Sequence, residues 1–216
     1  MFKKAIRKLV YNNDFLYGTY KMYRRLFPVR VGIGIDLGVK ELAVLSTGKV
    51  YHSVNKSPEV KKLNREYNLA YSKKQYLKAK GIYKKIENIR YKYIDDVVKE
   101  IVSLKPKYIS IEDLNFNYTA KSCKKNSLHK AIKDQHFEYF KSKLTRECRK
   151  RGIQLRMIPK HYPSSKTCSK CGYVNNNLTL ADRVYICPKC KSKPIDRDWN
   201  AAINICNCKQ YKILVR

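Results

Sequence analysis

Four cysteines give the chain its clearest chemical pattern. Cys168-Ser-Lys-Cys171 is followed, after fifteen residues, by Cys187-Pro-Lys-Cys190. Each Cys-x-x-Cys is a short knuckle that presents two thiolates, and two knuckles at this separation suit a tetrahedral four-sulfur zinc site. A redox pair is the ordinary alternative for one such unit, and it does not explain two in tandem. A closed four-thiolate shell leaves no open coordination position, so the zinc is expected to be structural. Cys123, Cys148, Cys206 and Cys208 lack ligand spacing and are read as core or incidental residues.

Three carboxylates form the second pattern. Asp36 ends the apolar strand-like run Arg30-Val-Gly-Ile-Gly-Ile-Asp36, Glu112 lies in Tyr108-Ile-Ser-Ile-Glu112, and Asp198 opens Asp-Trp-Asn-Ala-Ala-Ile-Asn-Ile. Burying a carboxylate without a partner is costly. Three of them at element ends could converge on two Mg²⁺ ions about 3.5–4 Å apart, the arrangement that hydrolyses phosphodiesters. The plainer reading is that each pairs with a neighbouring Lys or Arg, and spacing does not choose between the two.

Composition limits the partners. The 216 residues carry 48 Lys plus Arg against 17 Asp plus Glu, a net charge of +31. Such self-repulsion calls for a polyanion, and nucleic acid is the expected one, with a membrane surface as the rival. At 44% hydrophobic residues with 18 Tyr, the chain can build a core and is not a disordered basic tail. No apolar run is long enough for a signal-peptide core or a membrane span, and the paired cysteines fit a reducing compartment, so a cytoplasmic location in a prokaryotic or virally infected host cell is expected.

The elements that must position these groups follow from periodicity. Val31, Ile33 and Ile35 alternate along one strand, a second covers Glu41 to Ser46 and a third Val50 to Val54, with Thr47-Gly48 as the turn. Two helices are expected from about Ser57 to Leu104, with Ser57 as cap, Pro58 in the first turn and Gly81 as a break. A strand follows over 108–114, a polar loop over 115–128, one helix over His129 to Arg151 stopped by Gly152, a strand over 153–158 and a short helix from Asp198 to about Cys206. The order predicts one α/β domain with a small insert.

The strings Gly34-Ile-Asp36-Leu-Gly-Val-Lys40, Ile111-Glu112-Asp-Leu-Asn115, Ser165-Lys-Thr-Cys-Ser-Lys-Cys-Gly172 and Asp196-Arg-Asp198-Trp-Asn-Ala-Ala-Ile-Asn-Ile205 occur in this order. Together they resemble the C-terminal half of the OrfB/TnpB transposon-associated RNA-guided nucleases, relatives of type V CRISPR effectors. The resemblance implies an RNase H-like (RuvC) mixed sheet with flanking helices and an inserted four-cysteine zinc ribbon. Its domains are a basic N-terminal remnant at 1–29, a nuclease domain at 30–160 and 196–207 with a basic helical hairpin at 57–104, the ribbon at 161–195 and a tail at 208–216. It also implies that Asp36, Glu112 and Asp198 hold catalytic Mg²⁺ or Mn²⁺, with Asp198 chosen over Asp196, and that Cys168, Cys171, Cys187 and Cys190 hold Zn²⁺.

The implied activity is metal-dependent DNA endonuclease chemistry, guided by RNA in full-length relatives and linked to transposition and recombination. The alternative is a catalytically idle nucleic-acid-binding module. DNA and guide RNA are the expected partners, contacted through Lys73, Lys74, Lys78, Lys80, Lys84, Lys85, Lys166 and Lys170. Family members carry a long N-terminal half where this sequence has about 29 residues, so a second polypeptide supplying that half is expected for guided cutting, and the chain alone is expected to be weakly active or inactive. Trp199 is bulkier than the family pattern suggests.

Overall fold

A computed structural model describes residues 31–113, 126–179 and 181–216. The expectations for residues 1–29, for Asn115, for Cys123 and for the 115–125 part of the polar loop lie outside the described residues.

The first three strands form a meander: β1 (Ile33–Leu37), β2 (Glu41–Leu45) and β3 (Val50–His52), joined by antiparallel ladders. Gly48, with φ of 88°, makes the β2–β3 turn, a backbone region closed to most residues. The third strand stops at His52, and Val54–Lys56 form a single 3₁₀ turn instead of extending it.

A helical hairpin follows, α1 (Pro58–Ser72) and α2 (Tyr76–Ser103). The Ser57 hydroxyl caps α1 by accepting from the Val60 amide at 3.3 Å. The chain reverses at Lys73–Gln75, where Lys74 has φ of 57°, and α2 runs straight through Gly81. The expected break at Gly81 is thus misplaced by several residues. A lone glycine costs a helix only about 1 kcal/mol, and burial of Ala79, Ile82 and Ile86 against Val60 and Ala70 of α1 outweighs it.

Next come β4 (Tyr108–Glu112), α3 (Asn126–Lys133), α4 (Phe137–Arg151), β5 (Gln154–Ile158), the short strands β6 (Val184–Tyr185) and β7 (Ile195–Asp196), α5 (Arg197–Asn207) and β8 (Lys212–Val215). The single helix expected over 129–151 is two helices. His136 sits at φ of 49° between them, while the Gln135 side chain is drawn to the Val39 carbonyl at 2.7 Å and the Ser53 hydroxyl at 2.8 Å. Gly152 ends α4 in the left-handed region, as expected.

The strands form one mixed sheet in the order β3-β2-β1-β4-β5-β8, with β4 and β5 parallel to β1, and a separate two-stranded ribbon β6-β7. The expected tail is in part a strand, because β8 pairs antiparallel with β5 and covers that edge. One face of the sheet, led by Ile33, Ile35, Ile109 and Ile111, packs on Val98 and Ile101 of α2 and on Phe140 and Leu144 of α4. The opposite face carries α5.

Candidate functional site

Strand alternation puts Ile33 and Ile35 into the core and turns Gly34 and Asp36 to the other face. In the parallel ladder Ile33 pairs with Ile109, Gly34 with Ser110 and Ile35 with Ile111. One further step sets Asp36 beside Glu112, on the same face of adjacent strands, about 5 Å apart at their backbones.

The third carboxylate arrives on α5. A Cβ on Gly34 would lie 2.1 Å from the Ala202 carbonyl oxygen and 2.5 Å from the Cys206 nitrogen, so the helix backbone rests directly on β1 at this glycine. Asp198 is one turn before Ala202, and Asp36 is two residues beyond Gly34. The contact therefore carries Asp198 toward Asp36. Trp199, the departure from the family pattern, locks this helix end. Its indole nitrogen donates to the Ser46 carbonyl at 3.0 Å, and its ring lies 3.5 Å from where a Gly48 Cβ would be.

The electrostatics record the convergence. Burial pushes the Asp36 carboxyl well above the usual carboxylate range, and the charges of Glu112 and then Asp198 push it further, with Arg197 opposing. Burial also raises Glu112, against the Ser164 hydroxyl that donates to its Oε1. Arg197 donates from Nε and from an Nη to Asp198 Oδ1 at 3.3 Å each, and its other Nη reaches the Thr179 carbonyl. Among the described residues the three carboxylates do not form a group close enough to hold a single metal ion between them, as the cysteine quartet does. Two acidic groups on neighbouring strands and a third on the helix above them, with two of the three kept from ionising easily, mark a candidate functional site.

Asp196 has a different task. Its Oδ1 accepts from the amides of Asp198 at 3.0 Å and Trp199 at 2.9 Å, which makes it the N-cap of α5.

The cysteines meet as their spacing predicts. Among the described residues the four sulfurs are the group of metal-binding atoms all within 4.8 Å of one another, with Cys168 and Cys190 at 3.8 Å and Cys171 and Cys187 at 3.5 Å. A tetrahedron with Zn–S of about 2.3 Å has S–S edges of about 3.8 Å, so the quartet fits zinc. No disulfide forms among the described residues. Gly172 at φ of 74° and Lys191 at φ of 48° turn the chain after the second cysteine of each knuckle. Hydrogen bonding from Ser192 brings the Cys190 thiol down to about 6, whereas Cys171, despite a hydrogen bond from the Tyr173 backbone, is pushed up to about 11 by its surroundings and the neighbouring cysteines.

Sequence reasoning missed how the two centres connect. Asn200 and Asn204, one turn apart on α5, are buried. The Asn200 amide donates to the Thr167 carbonyl at 2.7 Å while its oxygen accepts from the Ser169 amide at 3.0 Å. Asn204 donates to the Ser164 carbonyl at 2.8 Å and the Thr167 carbonyl at 2.6 Å. The helix that carries Asp198 thus holds the first knuckle, and with it the Ser164 that touches Glu112. Two asparagines in a short helix with buried Ala201, Ala202 and Ile205 were the available signal, since buried amides need partners.

The lysines expected to meet nucleic acid divide by location. Lys73, Lys74, Lys78, Lys80, Lys84 and Lys85 are exposed around the turn of the hairpin, while Lys170 is exposed and Lys166 half-buried on the first knuckle. No helix among the described residues is long and apolar enough to cross a membrane.

Comparison with known proteins agrees with the motifs. The family model described as Cas12f1-like, TNB domain, matches residues 137–205. A Streptomyces pristinaespiralis protein named "Putative RNA-guided DNA endonuclease" is 31% identical over 182 residues, 80% of this chain and 44% of its own length. InsQ of Escherichia coli strain K12, which carries the same descriptive name, is 29% identical over 194 residues, 80% of this chain and 48% of its own. The chain spans about half the length of these curated relatives. Among solved structures, the chain of a Cas12f1–sgRNA–target DNA complex aligns with a TM-score of 0.63 at 24% identity, over 82% of this chain and 50% of that one. A second Cas12f ternary complex aligns equally well at 22% identity. The fold is therefore that of the matching part of the Cas12f chains, and the protein is a relative of the TnpB-type and Cas12f RNA-guided nucleases.

Proposed function

We propose that the chain carries the nuclease half of an RNA-guided DNA endonuclease of the TnpB and Cas12f kind, with Asp36, Glu112 and Asp198 as the ligands of two divalent cations. The observation that carries this reading is the parallel β1–β4 register, which sets Asp36 beside Glu112 under the helix bearing Asp198. An RNase H-like (RuvC) sheet is supported by the order β3-β2-β1-β4-β5, with the first three strands antiparallel and the next two parallel to β1.

Asp36, Glu112 and Asp198 would hold the Mg²⁺ or Mn²⁺ ions, which would supply charge neutralisation at the attacking and leaving oxygens of a phosphodiester. The chain's own residues supply the geometry. Asp36 and Glu112 are fixed by the sheet, Ser164 orients Glu112 through its hydroxyl, and Arg197 holds Asp198 while partly balancing the acidic cluster. Cys168, Cys171, Cys187 and Cys190 hold a structural Zn²⁺, which fastens the knuckle that supplies Ser164. Lys73, Lys74, Lys78, Lys80, Lys84, Lys85, Lys166 and Lys170 contact DNA and guide RNA.

The test is cleavage of a labelled single strand and of guide-matched duplex, with Mg²⁺ or Mn²⁺, by the chain alone and with the N-terminal half of a relative. Asp36→Ala, Glu112→Gln and Asp198→Asn should each abolish turnover, whereas Asp196→Asn, which keeps a capping oxygen, should retain most of it. Wild-type activity no greater than that of Asp36→Ala under every condition would reduce the chain to a nucleic-acid-binding module and overturn the nuclease reading.

A further inference from the structure

The hairpin α1–α2 reaches away from the sheet. The C-terminal half of α2, from Ile94 through Val102, belongs to the main core, whereas Ala79, Ile82 and Ile86 pack only into a small separate cluster with α1. From Ile94 back to Tyr76 the helix rises about 27 Å. The hairpin is an arm with its own thin core, and its far end contributes nothing to the main one.

That far end is unusual in composition. Residues 67–86 contain six lysines and no acidic residue. All six lysines are exposed, and none forms a salt bridge among the described residues. Four tyrosines gather between them. Tyr67 and Tyr71 stack at 5.9 Å with 30° between planes, Tyr76 meets Tyr71 edge-on at 5.6 Å, and Tyr83 lies 5.9 Å from Tyr67. Tyr71 and Tyr76 are 57% and 58% exposed, and Leu77 beside them is 89% exposed. Water-facing rings on a surface built to repel its own kind need an external anionic partner with apolar faces.

We propose that the distal end of this arm is a stacking platform for unpaired nucleobases, with Tyr71 and Tyr76 taking bases and Lys73, Lys74, Lys78 and Lys80 taking the adjoining phosphates. This rests on the reading of the chain as acting on nucleic acid, and it names the form of nucleic acid the arm prefers. A duplex offers phosphates to the lysines but keeps its base faces stacked inside. A single strand offers both, and stacking on an aromatic ring is available to every base. Lysines alone would make a general electrostatic wall; the exposed rings are what select a single strand.

The experiment measures binding of the whole chain to a fluorescein-labelled dT oligonucleotide and to a duplex of equal length, without added divalent ion, at several salt concentrations. Tyr71→Ala/Tyr76→Ala should weaken single-strand binding about 10- to 100-fold, leave duplex binding within about twofold, and leave the salt dependence unchanged. Tyr71→Trp/Tyr76→Trp should retain or strengthen it. Lys74→Gln/Lys78→Gln should instead flatten the salt dependence by about 0.7 for each phosphate no longer neutralised. Equal loss on both nucleic acids, or no loss in the alanine pair when circular dichroism shows the fold intact, would overturn the platform. So would concentration-dependent self-association abolished by Leu77→Lys, or tyrosine-dependent binding to anionic lipid vesicles but not to the oligonucleotide. Cleavage is not read in this assay, so a failure here leaves the nuclease reading standing, and the loss of turnover in Asp36→Ala says nothing about the arm.

Discussion

Substituting Gly34 with alanine tests whether the seating of α5 on β1 places Asp198. The added methyl group would lie 2.1 Å from the Ala202 oxygen, 2.5 Å from the Cys206 nitrogen and 2.9 Å from the Cys206 Cα. All three are backbone atoms, so no rotamer relieves the clash. Bringing the shortest approach to about 3.4 Å moves α5 outward by roughly 1.3 Å, a crowding that typically costs about 1–3 kcal/mol. Asp198, one turn from Ala202, moves with the helix. A displacement of about 1 Å at a reacting centre can cost about 10²-fold in rate. Gly34→Ala should therefore lose stability in urea unfolding, bind Mn²⁺ more weakly by electron paramagnetic resonance titration, and cut at least tenfold more slowly wherever the wild type cuts. Gly81→Ala is the control: no atom lies within 4 Å of its Cβ, and it should gain about 0.5–1 kcal/mol. Unchanged stability and Mn²⁺ affinity in Gly34→Ala would refute the claim that this seating sets the position of Asp198.

Other expectations follow from the same geometry. Asp36 and Glu112 have raised pKa values in the fold, so the folded state holds more protons than the unfolded state between the two sets of values, and the stability of the divalent-free protein falls as pH rises through that window. Asp36→Asn should flatten this slope in urea titrations at pH 5 and 7.5, raise stability at the higher pH, and abolish stabilisation by Mg²⁺. Cys187→Ser should lose the zinc seen by metal analysis and disorder 161–195 while the sheet keeps its circular dichroism, because thiolate chelation contributes folding free energy directly. Asn204→Ala leaves the Ser164 carbonyl without its donor, while Thr167 keeps the Asn200 amide, and should cost about 1–3 kcal/mol and weaken Mn²⁺ binding through the freed Ser164. Arg90→Ala leaves Asp134 without the buried guanidinium that holds it at 3.1 Å, while Glu87 keeps its contact to His136, and should cost about 3 kcal/mol by chemical unfolding.

What the amino-acid order determined by itself was local chemistry. The two Cys-x-x-Cys knuckles needed only their own spacing and the turns after Cys171 and Cys190. The Ser57 cap, the Thr47-Gly48 turn and the Gly152 stop are likewise settled within a few residues by hydrogen bonding and φ. The ordered motifs identified the family for the same reason, since each is a short string. The tertiary structure decided what lies between distant strings. Asp36 and Glu112 become neighbours only because β1 and β4 pair across an intervening hairpin, and nothing in either strand's alternation names its partner. Ser164 reaches Glu112 from 52 residues away, and Asp196 and Asp198 part into helix cap and proposed metal ligand only when α5 begins between them. Packing also overrode local preference: α2 absorbed Gly81 because its neighbours bury side chains against α1, and the helix expected over 129–151 broke at His136 because Gln135 is held by Val39 and Ser53. Local propensities differ by about 1 kcal/mol, and packing between elements far apart in the chain adds up to more than that.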